Sequence, residues 1–191
     1  MQDDYSTSRI ADRMAIQDLI YRWCRAADRL DYNAMPELFH PDAYDDHGPY
    51  RGDIPGLVEW IRKRHQFITF SMHQMTNVLI EFADDDNALV ESYLAIVQRY
   101  APGAGDSLSQ LTKTTIAKDR SVDLHSRSRY IDRVQRRDGV WRVSRRTLVQ
   151  DWKQVIELEH VAPNSPGALV GQRNQDDFVF SERRAMGIRV A

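Results

Sequence analysis

From residue 69 to residue 151 the chain is written largely in alternating apolar and polar residues, which commits it to several long strands. In 69–82, His73, Met75, Asn77 and Leu79 share one face; Met72, Gln74, Thr76, Val78 and Ile80 share the other. Asp84, Asp85, Asp86 and Asn87 form a polar turn, and 88–100 is a second strand with Tyr93 near its middle. Residues 103–112 are rich in Gly, Ser and Asp and read as a loop. The next strand spans about 114–136, with a break near 118–123. Arg137-Asp138-Gly139 signals a tight hairpin, because Asp-Gly readily takes positive φ. Residues 140–151 make the last strand.

Helical periodicity precedes the strands. Ser8 is the expected N-cap of a helix over about 9–28. One stripe reads Ile10, Met14, Gln17, Tyr21, Cys24, Asp28, and a neighbouring one Ile16, Ile20, Trp23, Ala27, together a wide apolar face. Tyr21 and Asp28 sit on it seven residues apart, about 10 Å along the axis. A short helix at about 33–38 is stopped by Pro41, and 43–47 suits a short strand. A third helix, about 54–67, turns Leu57, Trp60, Ile61 and Phe67 inward. After residue 152 comes a tail with a linker signal at Pro163-Asn164-Ser165-Pro166-Gly167 and little periodicity over 176–191. The expected division is a domain over 1–152 and an extension over 153–191. Helices packed on one curved antiparallel sheet is the natural α+β solution for this order.

Composition narrows the function. A length of 191 residues, 42% of them hydrophobic, suits one domain with a real core. The formal net charge of −2 offers no basic excess for a nucleic-acid backbone. No run approaches eighteen apolar residues, and the acidic first residues lack a secretory pattern. The single cysteine, Cys24, excludes an intrachain disulfide and a cysteine metal cluster. A cytoplasmic protein is expected. G-x-G-x-x-G, Walker, G-x-S-x-G and H-E-x-x-H patterns are all absent, so nothing supports nucleotide-driven, serine-hydrolase or zincin chemistry.

His73 sits mid-strand among apolar neighbours and needs a hydrogen-bond partner there. The ordinary reading is a core histidine satisfied by a neighbour. Asp28, at the C-terminal end of an apolar helical face, is disfavoured by the helix dipole, unless it simply belongs to a solvated Asp28-Arg29-Leu30-Asp31 turn. Should the sheet bring the two together, the carboxylate would fix the imidazole tautomer and leave the other nitrogen as a general base. Arg146 could then hold a leaving group or oxyanion, as could Arg129 or Arg133. A charged face, with Arg142, Arg145 and Arg146 paired to Asp132 and Asp151, is the competing account. Tyr21, Tyr44 and Tyr93 are candidate proton donors or substrate clamps. His47, in Asp45-Asp46-His47, has no second histidine at ligand spacing, so no metal is expected.

The segments 16–31, 39–48, 72–77 and 136–142 resemble recurrent segments of the SnoaL-like group within the nuclear-transport-factor-2-like superfamily, and the likeness covers about residues 9–152. It implies a cone-shaped curved antiparallel sheet around three N-terminal helices, a cystatin-like α+β barrel with a deep pocket. Scytalone dehydratase, lindane dehydrochlorinase and bile-acid dehydratase share that fold and use an Asp–His pair for proton abstraction. By position, Asp28 and His73 match the pair, and Arg146, five residues after Trp141, matches an arginine of the dehydrochlorinase. Tyr21 lies two residues out of register with a dehydratase tyrosine, and Trp23 stands where the dehydrochlorinase has a lysine. Lyases that release formaldehyde from aryl diols belong to the same superfamily. So do isomerases, cyclases, ligand-binding proteins and the non-catalytic small subunits of aromatic-ring dioxygenases. The resemblance thus implies a cofactor-independent lyase with His73, Asp28, Arg146 and Tyr21 as catalytic residues, acting on a hydrophobic, aromatic small molecule. The substrate contacts expected with it are Trp23, Tyr44, His47, Met75, Asn77, Tyr93 and Arg129. A homodimer or homotrimer is expected, with 153–191 capping the pocket or packing on a neighbouring subunit.

Overall fold

A computed structural model describes residues 5–109, 111, 112 and 119–188. The first helix, α1 (Thr7–Arg29), starts at Ser6, whose hydroxyl accepts from the Arg9 N–H; the cap therefore lies two residues ahead of Ser8. The short α2 (Ala34–Glu37) leads into β1 (Phe39–Asp46), β2 (Arg51–Asp53) and α3 (Ile54–Arg64), which ends in a 3-10 turn over His65–Phe67. Asp53 caps α3 by accepting from the Gly56 N–H. The long strands follow: β3 (Ile68–Phe82), β4 (Asn87–Tyr100), β5 (Ser121–Arg137) and β6 (Val140–Leu158). A one-turn helix, α4 (Gly105–Ser109), stands where a loop was expected, and the expected strand residues 114–118 lie outside the described residues.

The six strands form one sheet in the order β2-β1-β6-β5-β4-β3. All neighbouring pairs are antiparallel except β1 with β6, which is parallel, and β2 and β3 are free edges, so the sheet does not close into a barrel. Bulges curl it, since each inserts a residue that bends a strand and raises its twist. On β3, Met75 faces Leu94 but Val78 faces Ser92, which leaves one extra residue on β3. On β6 the pairing shifts between Val143 and Arg145, and again between Gln150 and Trp152.

The bulge on β3 changes which side chains look inward. Before it, Ser71, His73 and Met75 face the helices; after it, Val78 and Ile80 do. Asn77 and Leu79, grouped with His73 by strict alternation, are therefore turned out to the exposed face. The core joins Ile16, Ile20, Trp23 and Ala27 of α1 to Leu57 and Ile61 of α3 and to Val90, Leu94, Tyr130 and Val134 of the sheet. Phe67, expected inward, is exposed.

β6 runs past residue 152 to Leu158, and the chain then returns toward α1. There a helix that the sequence did not announce, α5 (Phe178–Ala185), is capped by Asp177 and buries Phe180. Eight residues with a single buried position leave no periodicity to read. Asp177 also pairs with Arg29 at 3.1 Å. Phe180→Ala is expected to cost about 3–5 kcal/mol in urea unfolding while keeping one cooperative transition. A separate early transition would show instead that α5 folds apart from the sheet.

Candidate active site

Asp28 is the penultimate residue of α1, where the helix dipole opposes a negative charge. Three donors hold its buried carboxylate. His73 Nδ1 lies 2.6 Å from Oδ1, the His73 backbone N–H donates to Oδ2 at 2.8 Å, and the Ser71 hydroxyl donates to Oδ1 at 2.8 Å. Burial pushes the carboxyl up, but His73 and Ser71 more than offset this and hold it below the ordinary range. A fourth group acts on the helix end itself. The Arg173 guanidinium, from the C-terminal extension, donates to the backbone carbonyls of Asp28 at 3.0 Å and Ala27 at 3.4 Å, two of the oxygens that a helix end leaves without intrahelical partners. It also donates to the carbonyl of Ile68 at 2.7 Å.

His73 lines a cavity between α1, α3 and the inner face of the sheet, about 650 Å³ including its open mouth. Trp23, Trp60, Tyr130 and Leu148 form apolar walls; Gln98, Ser126, Ser128 and Gln150 supply polar points. With Asp28 at Nδ1, the free nitrogen of the imidazole is Nε2, on a ring that faces this space. His47 lines the same cavity and is also backed by a carboxylate, since its Nδ1 bonds Asp45, which is fully buried. Its ring lies 5.7 Å from Tyr130 and 6.1 Å from Trp60, centroid to centroid. The cavity thus has two carboxylate-backed imidazoles. Trp23, beside His47, and Asp28, holding His73, are five residues apart on α1, about 7.5 Å along its axis.

Of the other residues singled out from the sequence, Trp23 lines the cavity and donates from Nε1 to the Tyr130 hydroxyl at 3.2 Å. Met75 faces inward and packs against the core without lining the cavity. Arg146 lies one layer beneath. It is 1% exposed, pairs with Asp132 at 2.6 and 2.8 Å, and stacks 4.1 Å over Tyr130 and 4.9 Å over Trp23. It supports the aromatic wall and does not line the cavity.

Five residues are not brought to the site. Tyr21 is 52% exposed, because two residues along a helix rotate a side chain about 200° away from Trp23. On β1, Ala43 and Asp45 turn inward, so Tyr44 turns out, under the Arg145 guanidinium. Tyr93 and Arg129 fall on the outer parity of β4 and β5; Arg129 pairs there with Glu91 and Asp151. Asn77 is turned out by the bulge.

The residues missed are Arg64 and His65 at the end of α3, Gln98, Tyr130, Gln150 and Arg173. Arg64 follows Trp60 by four and so shares its helix face, a signal that was present in the sequence. Nothing local marks Arg173, whose partners lie up to 146 residues away. Among the described residues, no group of three His, Cys, Asp or Glu side chains could hold a metal ion, and no helix is long and apolar enough to cross a membrane.

The SnoaL-like domain profile matches residues 8–147. The chain belongs to the SnoaL-like family. Among solved structures it is similar to a type 2 hexachlorocyclohexane dehydrochlorinase, with a TM-score of 0.65 and 21% identity over 84% of this chain and 97% of that one. It is also similar to a type 3 hexachlorocyclohexane dehydrochlorinase from Novosphingobium barchaimii, with a TM-score of 0.63 and 22% identity over 82% and 97% of the two chains. A protein from Novosphingobium aromaticivorans provisionally named a scytalone dehydratase matches with a TM-score of 0.60 and 20% identity over 83% and 95%. No curated protein matches. At these identities the likeness shows the fold, and a cystatin-like fold is named for another neighbour, from Nostoc punctiforme.

His65 gives this region a pH signature. Burial, then the charges of Arg64 and Arg173, hold its pKa well below the ordinary 6.5, so the folded protein keeps it neutral. As pH falls below about 6.5, the unfolded chain takes up a proton that the folded chain refuses, and this part of the stability is lost. Urea midpoints are expected to fall between pH 7.5 and 5.5, and His65→Gln should flatten that slope (both pH values being about one unit either side of the reference).

Proposed function

We propose that this SnoaL-like protein is a cofactor-independent lyase in which His73, held by Asp28, removes a proton from a hydrophobic, aromatic small molecule. The observation that carries the reading is the carboxylate-backed imidazole on the wall of a largely apolar cavity. Asp28 keeps the Nδ1 proton in place and stabilises the imidazolium once Nε2 has taken the substrate proton. The electron pair left on carbon forms a double bond as a leaving group departs from the neighbouring carbon. In a retro-aldol variant the same base deprotonates a hydroxymethyl group, the carbon–carbon bond breaks to release formaldehyde, and the pair left on carbon forms a double bond as the neighbouring hydroxyl departs with the proton held on His73. Apolar walls lower the local dielectric and so strengthen the interaction between the dyad and the developing charge. Two enzymes with this fold are named as dehydrochlorinases, which supports elimination as the reaction class.

In this reading Arg146 acts through the wall it supports, by keeping Trp23 and Tyr130 in place. The stretch after β6 covers the α1 end through Arg173, which steadies the carbonyls of Ala27 and Asp28, and Asp177, which pairs with Arg29. The second couple, His47 with Asp45, favours one alternative. An isomerase would use one imidazole to take a proton and the other to return it, and its product would have the mass of its substrate.

Proton abstraction can be tested without knowing the leaving group. Wild-type protein in deuterium oxide should exchange an acidic carbon-bound proton of a bound aryl ligand, read by NMR, or convert a dehydratable substrate with loss of its leaving group. His73→Ala is expected to lower either rate by about 10²–10⁴-fold with an unchanged circular-dichroism spectrum. Full activity in that variant would remove His73 from the mechanism. Asp28→Asn should lose activity as well, because an amide at that position no longer stabilises the imidazolium.

A further inference from the structure

The geometry points to Arg64 as an anion-binding residue at one end of the cavity, which makes the ligand an aromatic or aryl-alkyl carboxylate, bound with its ring against Trp23, Trp60 and Tyr130 and its carboxylate on the guanidinium. This deepens the reading above, because it concerns the same cavity.

Arg64 lines the cavity as the last residue of α3. A guanidinium carries five N–H donors and no acceptor, so its partners state what charge it already meets. Arg64 Nη2 donates to the Gln98 side-chain oxygen at 2.5 Å and to the Tyr100 hydroxyl at 2.9 Å, and Nη1 lies 2.7 Å from His65 Nε2. The Nε atom is buried with no partner. Every one of these partners is neutral. Burial pushes the Tyr100 phenol up against the opposing pull of Arg64, so it stays protonated. His65 is no counter-charge either. It is held neutral, and its other nitrogen lies 2.8 Å from Arg173, yet a neutral imidazole accepts at one nitrogen only. One guanidinium donor is therefore left over.

The two most buried arginines among the described residues, Arg9 and Arg146, are balanced by acids, and so is the part-buried Arg99. Arg9 meets Asp85 at 2.6 Å, Arg99 meets Asp123 at 2.8 Å and Arg146 meets Asp132 at 2.6 Å. Among the described residues no carboxylate lies within ion-pair distance of Arg64, and the nearby Arg173 adds a second positive charge that is satisfied by carbonyls. Asp28, the acid of this neighbourhood, is taken up by His73 and Ser71. A part-buried guanidinium with no acid partner in a ligand cavity is completed by an anionic ligand group, and its planar fork fits a carboxylate. A single guanidinium flanked by an amide and a phenol suits a monoanion better than a phosphate, which gathers several cations or backbone N–H groups.

Trp23 and Trp60 on the cavity wall provide the probe, since their fluorescence responds to a ligand ring stacked between them. The full chain is titrated with 3-phenylpropionate and with its neutral amide, in wild type, Arg64→Met and His73→Ala. The carboxylate is expected to bind about tenfold or more tightly than the amide in wild type, a preference that added salt reduces. Arg64→Met should bring the two ligands to within about twofold, while His73→Ala keeps the preference. Equal binding of acid and amide in wild type overturns the assignment, and so does failure of both to bind at millimolar concentration. Survival of the preference in a folded Arg64→Met protein overturns it too. If that variant does not fold, the acid–amide comparison in wild type and its salt dependence decide alone. A wild type that exchanges a substrate proton but binds acid and amide equally overturns the Arg64 assignment alone, and a wild type that prefers the acid but exchanges no proton overturns the His73 reading alone, so the two readings fail separately.

Discussion

The structure depends on one buried carboxylate at the wrong end of a helix. Asp28 sits where the α1 dipole and the surrounding apolar side chains both raise the energy of a negative charge. It is kept ionised by what converges on it: an imidazole and a backbone N–H from residue 73, a hydroxyl from Ser71 and, on the neighbouring carbonyls, the guanidinium of Arg173. These groups come from the first helix, the third strand and the C-terminal extension, so the carboxylate also ties three distant parts of the chain together. A carboxylate that costs energy to bury and is then fully satisfied is suited to hold a base in one orientation, because every alternative position leaves a charge unpaired.

The cavity built over that carboxylate is asymmetric. One end is aromatic, with Trp23 and Tyr130 held from behind by the Arg146–Asp132 pair, and Trp60 continues the wall toward Arg64, whose guanidinium lies 5.3 Å over its ring. The other end carries Arg64 and neutral His65, beneath which Arg173 closes the α1 terminus. Arg146 and Arg64 show how location sets the use of the same side chain. The first is enclosed by rings and matched by an acid, so its charge is spent on architecture. The second meets only neutral groups, so its charge is available to a ligand.

Much of this was legible in the sequence. The stripe Ile16, Ile20, Trp23, Ala27 marks the buried face of α1, and the alternation from 69 to 82 puts Ser71 and His73 on one side of β3. The limits are equally specific. Alternation was carried straight through 75–78, where one extra residue reverses it, so Asn77 and Leu79 were assigned to the inner face. The wider apolar stripe of α1 included Tyr21, but the curled sheet covers only the side bearing Trp23. α5 left no pattern because it buries a single residue.

By itself the sequence determined the order of the main helices and strands, the α+β class, and an aspartate and a histidine as candidates for inward-facing positions. Those properties are local: they follow from 3.6- and 2-residue periods and from turn chemistry within a few residues. Only the tertiary structure decided that Asp28 meets His73 across 45 residues, that Arg173 reaches the end of α1 across 145, and that Arg64 finds neutral partners where Arg9 and Arg146 find acids. Such contacts depend on bulges that set strand parity and on packing that sets distance, and neither leaves a period in the chain.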